Sequence, residues 1–226
     1  MSTKRIFDVA VSVVGLLVLL PLLAFAAIFI KLESKGPILY RQQRVGLNGV
    51  PFYINKFRTM KIVQDQKCLL ITSANDPRIT WVGRLLRKIK LDEMPQLINI
   101  LMGEMSLVGP RPEVSKYVEL YTDEQKRVLL VKPGMTDPAT IYFRNEEELL
   151  AKAENKESFY VNEIMPIKLK LYLQYVENAS LLYDIKLIFM EILVIIFPQL
   201  AIQKAFSRAI GVQATGLYNN FLDKKE

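Results

Sequence analysis

The chain has 226 residues and a mass of 26.0 kDa, with 51% apolar and 23% charged residues and a mean hydropathy of +0.18. That is enough to bury a core without staples, and it excludes disorder in favour of a globular protein with an apolar attachment. Its 30 Lys and Arg outnumber 23 Asp and Glu, a net charge of +7 that suits an anionic partner. The absence of histidine excludes Ser/His and Cys/His nucleophile pairs and histidine-bound zinc, and Cys68 as the only cysteine excludes an internal disulfide.

From Ile6 to Ile30 the chain is apolar except for Asp8, Ser12, Gly15 and Pro21, long enough for a bilayer that takes about 20 residues. Lys4 and Arg5 precede this segment, and Lys31, Lys35, Arg41 and Arg44 follow it. The positive-inside rule therefore assigns both ends to the cytoplasm. Pro21 removes a backbone donor within the run. A re-entrant helix that kinks at Pro21 and returns satisfies both facts; a kinked ordinary span is the alternative. Asp8 is expected near the head groups or paired, with Arg5 as the nearest candidate partner.

Pro37 to Met60 reads as a β-hairpin turning at Gly46 to Gly49. From Thr80 the spacing of Val82, Leu85, Leu86 and Ile89 beside Arg84, Arg87 and Lys88 predicts a basic amphipathic helix. Leu91 to Pro95 predicts a new helix with Asp92 and Glu93 at its positive end and Gly103 as its stop. Glu146 to Asn155 is acidic and helix-prone, a solvated face. Ile167 to Tyr175 and Ile185 to Ile202 are further helical runs, the last a core or interfacial helix carrying Glu191 and Pro198.

An acidic pair opening a helix is ordinary capping when it stands alone. Here Arg78, Arg84, Arg87, Lys88 and Arg111 gather in the same region, and such cations both keep a carboxylate ionised and hold phosphate oxygens. A carboxylate can attack phosphorus once the charge of a pyrophosphate is neutralised. Pro110 and Pro112 stiffen the backbone around Arg111, whose planar fork suits phosphate. Lys56 and Arg58 have two readings: phosphate contacts, or charges flanking a buried Phe57 and Met60.

The block GRLLRKIKLDEMPQLINILMGEMSLVGPRPE (Gly83 to Glu113), with KFRTM at Lys56 and KPGMT at Lys132, resembles the bacterial sugar transferases, the monotopic phosphoglycosyl transferases. The likeness runs from KRIFD (Lys4 to Asp8) to LLYDIKLI (Leu181 to Ile188). It implies an enzyme that moves a sugar phosphate from a UDP-sugar onto polyprenol phosphate. By this resemblance Asp92 is the nucleophile of an aspartyl phosphosugar, Glu93 helps bind Mg²⁺, and Pro110, Arg111 and Pro112 form the phosphate-binding strip. Leu20 stands where the family commonly has Ser, and Asp137 where Gly is more usual.

The expected fold is α+β and mainly helical. A re-entrant membrane helix occupies residues 1–36, a catalytic domain with a short β-hairpin residues 37–202, and a C-terminal extension residues 203–226. Lys56, Arg58, Arg87 and Lys88 complete the expected phosphate contacts, and Arg5 and Asp8 the head-group contacts. The expected partners are a UDP-sugar, polyprenol phosphate, the cytoplasmic face of a bacterial inner membrane and a second copy of the chain; nucleic acid is not expected. The competing reading is a non-catalytic adaptor that binds anionic lipid.

Overall fold

A computed structural model describes residues 2–62, 71–73 and 76–197. Cys68, Pro198 and the C-terminal extension lie outside the described residues, as does the end of the predicted Ile185–Ile202 run. Helix α1 spans Thr3–Glu33, capped by Ser2, whose hydroxyl accepts from the Arg5 amide. Pro21 sits inside it without dividing it into two helices. A stripe including Asp8, Ser12, Ala26 and Ile30 is buried, while Val14, Leu17, Val18, Phe25 and Phe29 are exposed. By length and composition α1 could cross a membrane.

Both ends of α1 are bonded to one globular body. At its start, Lys4 pairs with Asp184, Arg5 donates to the carbonyls of Ile100 and Leu101, and Asp8 accepts from Ser106 and Leu107. At its end, Arg58 donates to the carbonyls of Ile30, Ser34 and Lys35, and Glu33 accepts from the amides of Trp81 and Val82.

Strands β1 (Leu39–Val45) and β2 (Pro51–Phe57) form the expected antiparallel hairpin, with Leu39 opposite Phe57 and Val45 opposite Pro51. Helix α2 (Trp81–Lys88) begins at Thr80, whose hydroxyl accepts from the Gly83 amide. It buries Val82 and Leu86 against α1, but Leu85 and Ile89 are exposed. Residues Leu91–Glu93 make a 3-10 turn ahead of α3 (Gln96–Met102), so the acidic pair precedes that helix instead of opening it. Gly103 ends α3 with a left-handed backbone, φ 85°.

A second sheet, not predicted from the sequence, pairs β3 (Ser106–Val108) in parallel with β4 (Gly134–Thr136). The strip after β3 crosses the turn before β4 at two glycines: the Gly109 amide donates to Thr136 and the Gly134 amide to Pro110. A methyl group on Gly134 would lie 2.0 Å from the Gly109 nitrogen, which is why glycine stands there. The remaining helices are α4 (Ser115–Val118), α5 (Pro138–Tyr142), α6 (Glu146–Lys152), α7 (Lys156–Phe159), α8 (Met165–Asn178) and α9 (Leu181–Ile196).

Tyr142, Leu169 and Tyr172 belong to one core cluster around α8. Ile54, Ile100, Leu107 and Leu187 join the hairpin, α3, β3 and α9 in another. Helix α6 is less solvated than predicted: Leu150 is buried, Glu146 pairs with Lys168 and Glu147 with Arg87.

Candidate active site

The sequence KLDE folds tightly because Leu91 is buried in the cluster beneath α1 and α2, which turns the two following carboxylates into the protein. Asp92 and Glu93 are each only 8% exposed. Oε1 of Glu93 accepts from Arg111 and lies 3.0 Å from the Lys56 ammonium. Burial alone would raise the Glu93 carboxyl, but the charges of Arg111, Lys56 and Lys90 overcome it and hold that carboxyl well below its usual range. Asp92 moves the other way. Burial and then the negative charge of Glu93 raise it, against the opposing charges of Lys56, Lys90 and Arg87. Its Oδ1 is buried without a hydrogen-bond partner, a costly arrangement in a structural residue and a useful one in a reactive carboxylate.

Lys56 projects from β2, and burial lowers its ammonium from 10.5 to about 8, with the Glu93 charge partly restoring it. An amide network sets β2 against α3. Oδ1 of Asn99 accepts from the Asn55 backbone at 3.0 Å and from the Asn55 side chain at 2.9 Å, while Nδ2 of Asn99 donates to Tyr53 O at 2.7 Å. Arg111 comes from the strip after β3, between the buried Pro110 and Pro112. The hairpin is fastened to the same strip: Arg44 donates to Glu113 at 3.2 Å, and the Tyr160 hydroxyl donates to Glu113 at 2.8 Å. Nothing in a single sequence distinguishes Asn99 or Glu113 from ordinary polar residues.

The structure thus gathers Asp92, Glu93, Lys56 and Arg111, with Arg87 close enough for its charge to act on Asp92. Arg87 also pairs with Glu147, and Lys88 is exposed. Arg58 goes elsewhere. It is 4% exposed and caps the C-terminus of α1 through the three carbonyls described above, so its guanidinium donates there and not beside Glu93. Arg5 and Asp8 likewise have partners within the protein. They turn inward, Arg5 onto the end of α3 and Asp8 onto β3, because helix-end carbonyls and strand amides offer them fixed partners.

Sequence reasoning missed two further groups. Glu191 of α9 is hydrogen-bonded to Thr136, and burial raises its carboxyl. Lys90, whose charge acts on Asp92, Glu93 and Glu191, has φ 59°, a left-handed conformation that no sequence pattern signals. Among the described residues no group of three or more Asp, Glu, Cys or His side chains could form a metal cage. An adjacent carboxylate pair with an orphaned oxygen does suit Mg²⁺, which commonly takes one or two carboxylates and completes its shell with phosphates and water.

The bacterial sugar transferase family profile matches residues 1–198. The chain is 38% identical over 193 residues to the UDP-glucose:undecaprenyl-phosphate glucose-1-phosphate transferase of Escherichia coli K12, covering 84% of this chain and 39% of that protein. It therefore spans about two fifths of the length of that relative. It is 37% identical over 188 residues to the uncharacterized sugar transferase EpsL of Bacillus subtilis, covering 83% of this chain and 84% of that protein. With the exopolysaccharide production protein PSS of Rhizobium leguminosarum it shares 39% identity over 195 residues, covering 82% and 91%. On the match across residues 1–198, which takes in every element described here, this chain belongs to the bacterial sugar transferase family.

Proposed function

We propose that this protein transfers a sugar phosphate from a UDP-sugar to undecaprenyl or a similar polyprenol phosphate, at the cytoplasmic face of a bacterial inner membrane. The observation that carries the reading is the pairing of a buried, under-bonded Asp92 with Glu93, whose charge gathers Arg111 and Lys56 beside it. The activity for which the Escherichia coli relative is named supports the substrate class.

In the first half-reaction a carboxylate oxygen of Asp92 attacks the sugar-bearing phosphorus. The bond from that phosphorus to the bridging oxygen breaks, and UMP leaves with the electron pair. In the second, an oxygen of polyprenol phosphate attacks the same phosphorus and expels Asp92, giving polyprenyl diphosphate sugar. Arg111 and Lys56 hold the phosphate oxygens and offset their charge. Glu93, with Asp92 beside it, would hold Mg²⁺, which supplies further charge neutralisation on the pyrophosphate. Burial of the pair limits access by water, which would otherwise hydrolyse the acyl phosphate.

The acceptor is a lipid, so the site must lie at the head-group plane. The fastening of both ends of α1 to one body supports a helix that enters the membrane and returns, and the missing backbone donor of Pro21 makes it the proposed place of the bend. The reading is tested by incubating the full chain in detergent with UDP-sugars and Mg²⁺ in the absence of acceptor, then measuring intact mass. A sugar-phosphate adduct on Asp92, absent from Asp92→Asn, is expected. Turnover by Asp92→Asn would remove the nucleophile, and failure to release UMP across a broad sugar panel with acceptor present would favour the lipid-binding adaptor.

A further inference from the structure

The cations around Asp92 are unequally committed. Lys56 is paired with Glu93, Arg87 with Glu147, and Arg111 with Glu93. Lys90 is half-buried and its charge acts on Asp92, Glu93 and Glu191, yet among the described residues it makes no ion pair or side-chain hydrogen bond. It immediately precedes the 3-10 turn that carries Asp92 and Glu93, and its charge reaches these two and Glu191 of α9 while it is bonded to none of the three.

Its backbone is at φ 59° and ψ 16°, a region that a long side chain rarely adopts and that glycine or asparagine would occupy more readily. Turn geometry therefore does not account for lysine at this position, and neither does a structural ion pair. A reaction that brings phosphate groups to Asp92 gains from a cation with no carboxylate partner of its own, because Lys56 and Arg111 each give one donor to Glu93 and part of their charge is offset there.

We propose that Lys90 is a substrate-binding residue whose ammonium donates to a phosphate oxygen lodged between Asp92 and α9. The assignment rests on the sugar-phosphate transferase reading above. The ligand chemistry is a phosphate oxygen, supplied either by the UDP-sugar or by polyprenol phosphate. Both bring anionic oxygens to the same phosphorus, so kinetics must separate them.

The experiment compares the full-length wild type with Lys90→Asn, which tolerates the left-handed backbone, and Lys90→Arg, which restores the charge. Each substrate is varied at saturating levels of the other, with UMP release as the readout, and binding of UDP is measured in parallel by calorimetry. Lys90→Asn is expected to melt no lower than the wild type while KM rises about tenfold or more, the loss expected for one charge-assisted hydrogen bond. Lys90→Arg should recover much of that loss. A rise confined to the UDP-sugar, with weaker UDP binding, assigns the donor phosphate; a rise confined to the lipid assigns the acceptor. Wild-type KM values for both substrates in Lys90→Asn would overturn the proposal. If the wild type releases no UMP, the transferase reading fails by itself. In that case weaker UDP binding by Lys90→Asn retains Lys90 as a phosphate ligand, and unchanged binding removes it.

Discussion

Lys56 and Arg111 converge on a single oxygen, Oε1 of Glu93, one from the hairpin and the other from the strip after β3. Two cations on one carboxylate oxygen hold a positive charge excess beside Asp92 that a phosphate can use. They also make the site sensitive to the titration of the stronger acid of the two, Lys56.

Lys56 has an alkaline signature. Its ammonium is lowered from 10.5 to about 8, chiefly by burial. It is charged below that value and neutral above it, so kcat/KM for the UDP-sugar should fall as pH rises through about 8. This profile reports the free enzyme. Stability responds with the opposite sign. Between about 8 and 10.5 the unfolded chain binds the proton that the folded chain has released, so the contribution of this residue to stability rises with pH. In Lys56→Arg the alkaline fall should move to higher pH, because guanidinium does not titrate there. An unmoved fall in that variant assigns the limb to another group.

Glu93→Gln removes the charge that partly sustains Lys56 in its protonated form. The alkaline fall should therefore begin below pH 8, and the Mg²⁺ concentration needed for half-maximal UMP release should rise by about tenfold, in line with the loss of a ligating carboxylate. An unchanged metal titration contradicts the assignment of Glu93 to the cation.

Arg58→Ala separates a cap from a phosphate ligand. Its guanidinium closes the C-terminus of α1 through three carbonyls, so truncation should cost about 2–4 kcal/mol of stability from lost charge-assisted bonds. KM for the UDP-sugar should change little in the fraction that remains folded. A raised KM with an unchanged melting temperature would return Arg58 to the phosphate site.

The legible parts of this protein were those with a strong period or a rigid turn. The hairpin was marked by Gly46 and Gly49, the end of α3 by Gly103, and the acidic pair by its company of cations. Charge counting could not direct individual arginines. Arg58 and Arg111 both stand among candidate phosphate contacts in sequence, and only the approach of the α1 carboxyl end to Arg58 distinguishes them. The pairing of β3 with β4 was illegible because each strand is three residues long and the contact depends on two glycines meeting across 25 positions of chain, Gly109 and Gly134. Lys90 was hidden for another reason, since a left-handed lysine is set by its neighbours rather than by its own preference.

The topology of α1 is open to direct measurement. At about 1.5 Å per residue its 31 residues exceed the roughly 30 Å of a bilayer core, so length alone permits a crossing. A crossing would carry one end away from the domain. At the N-terminal end that breaks the Lys4–Asp184 pair, the Arg5 bonds to α3 and the burial of Asp8, leaving charged groups without partners. At the other end it strips Arg58 and Glu33 of theirs. A bend within the apolar segment breaks none of these. Single cysteines at Ser2 and Ser34, in a background where Cys68 is replaced by Ser, should both resist a membrane-impermeant maleimide in intact spheroplasts and both react after permeabilisation. Labelling of one position from outside while the other stays protected would replace the re-entrant arrangement with a true span.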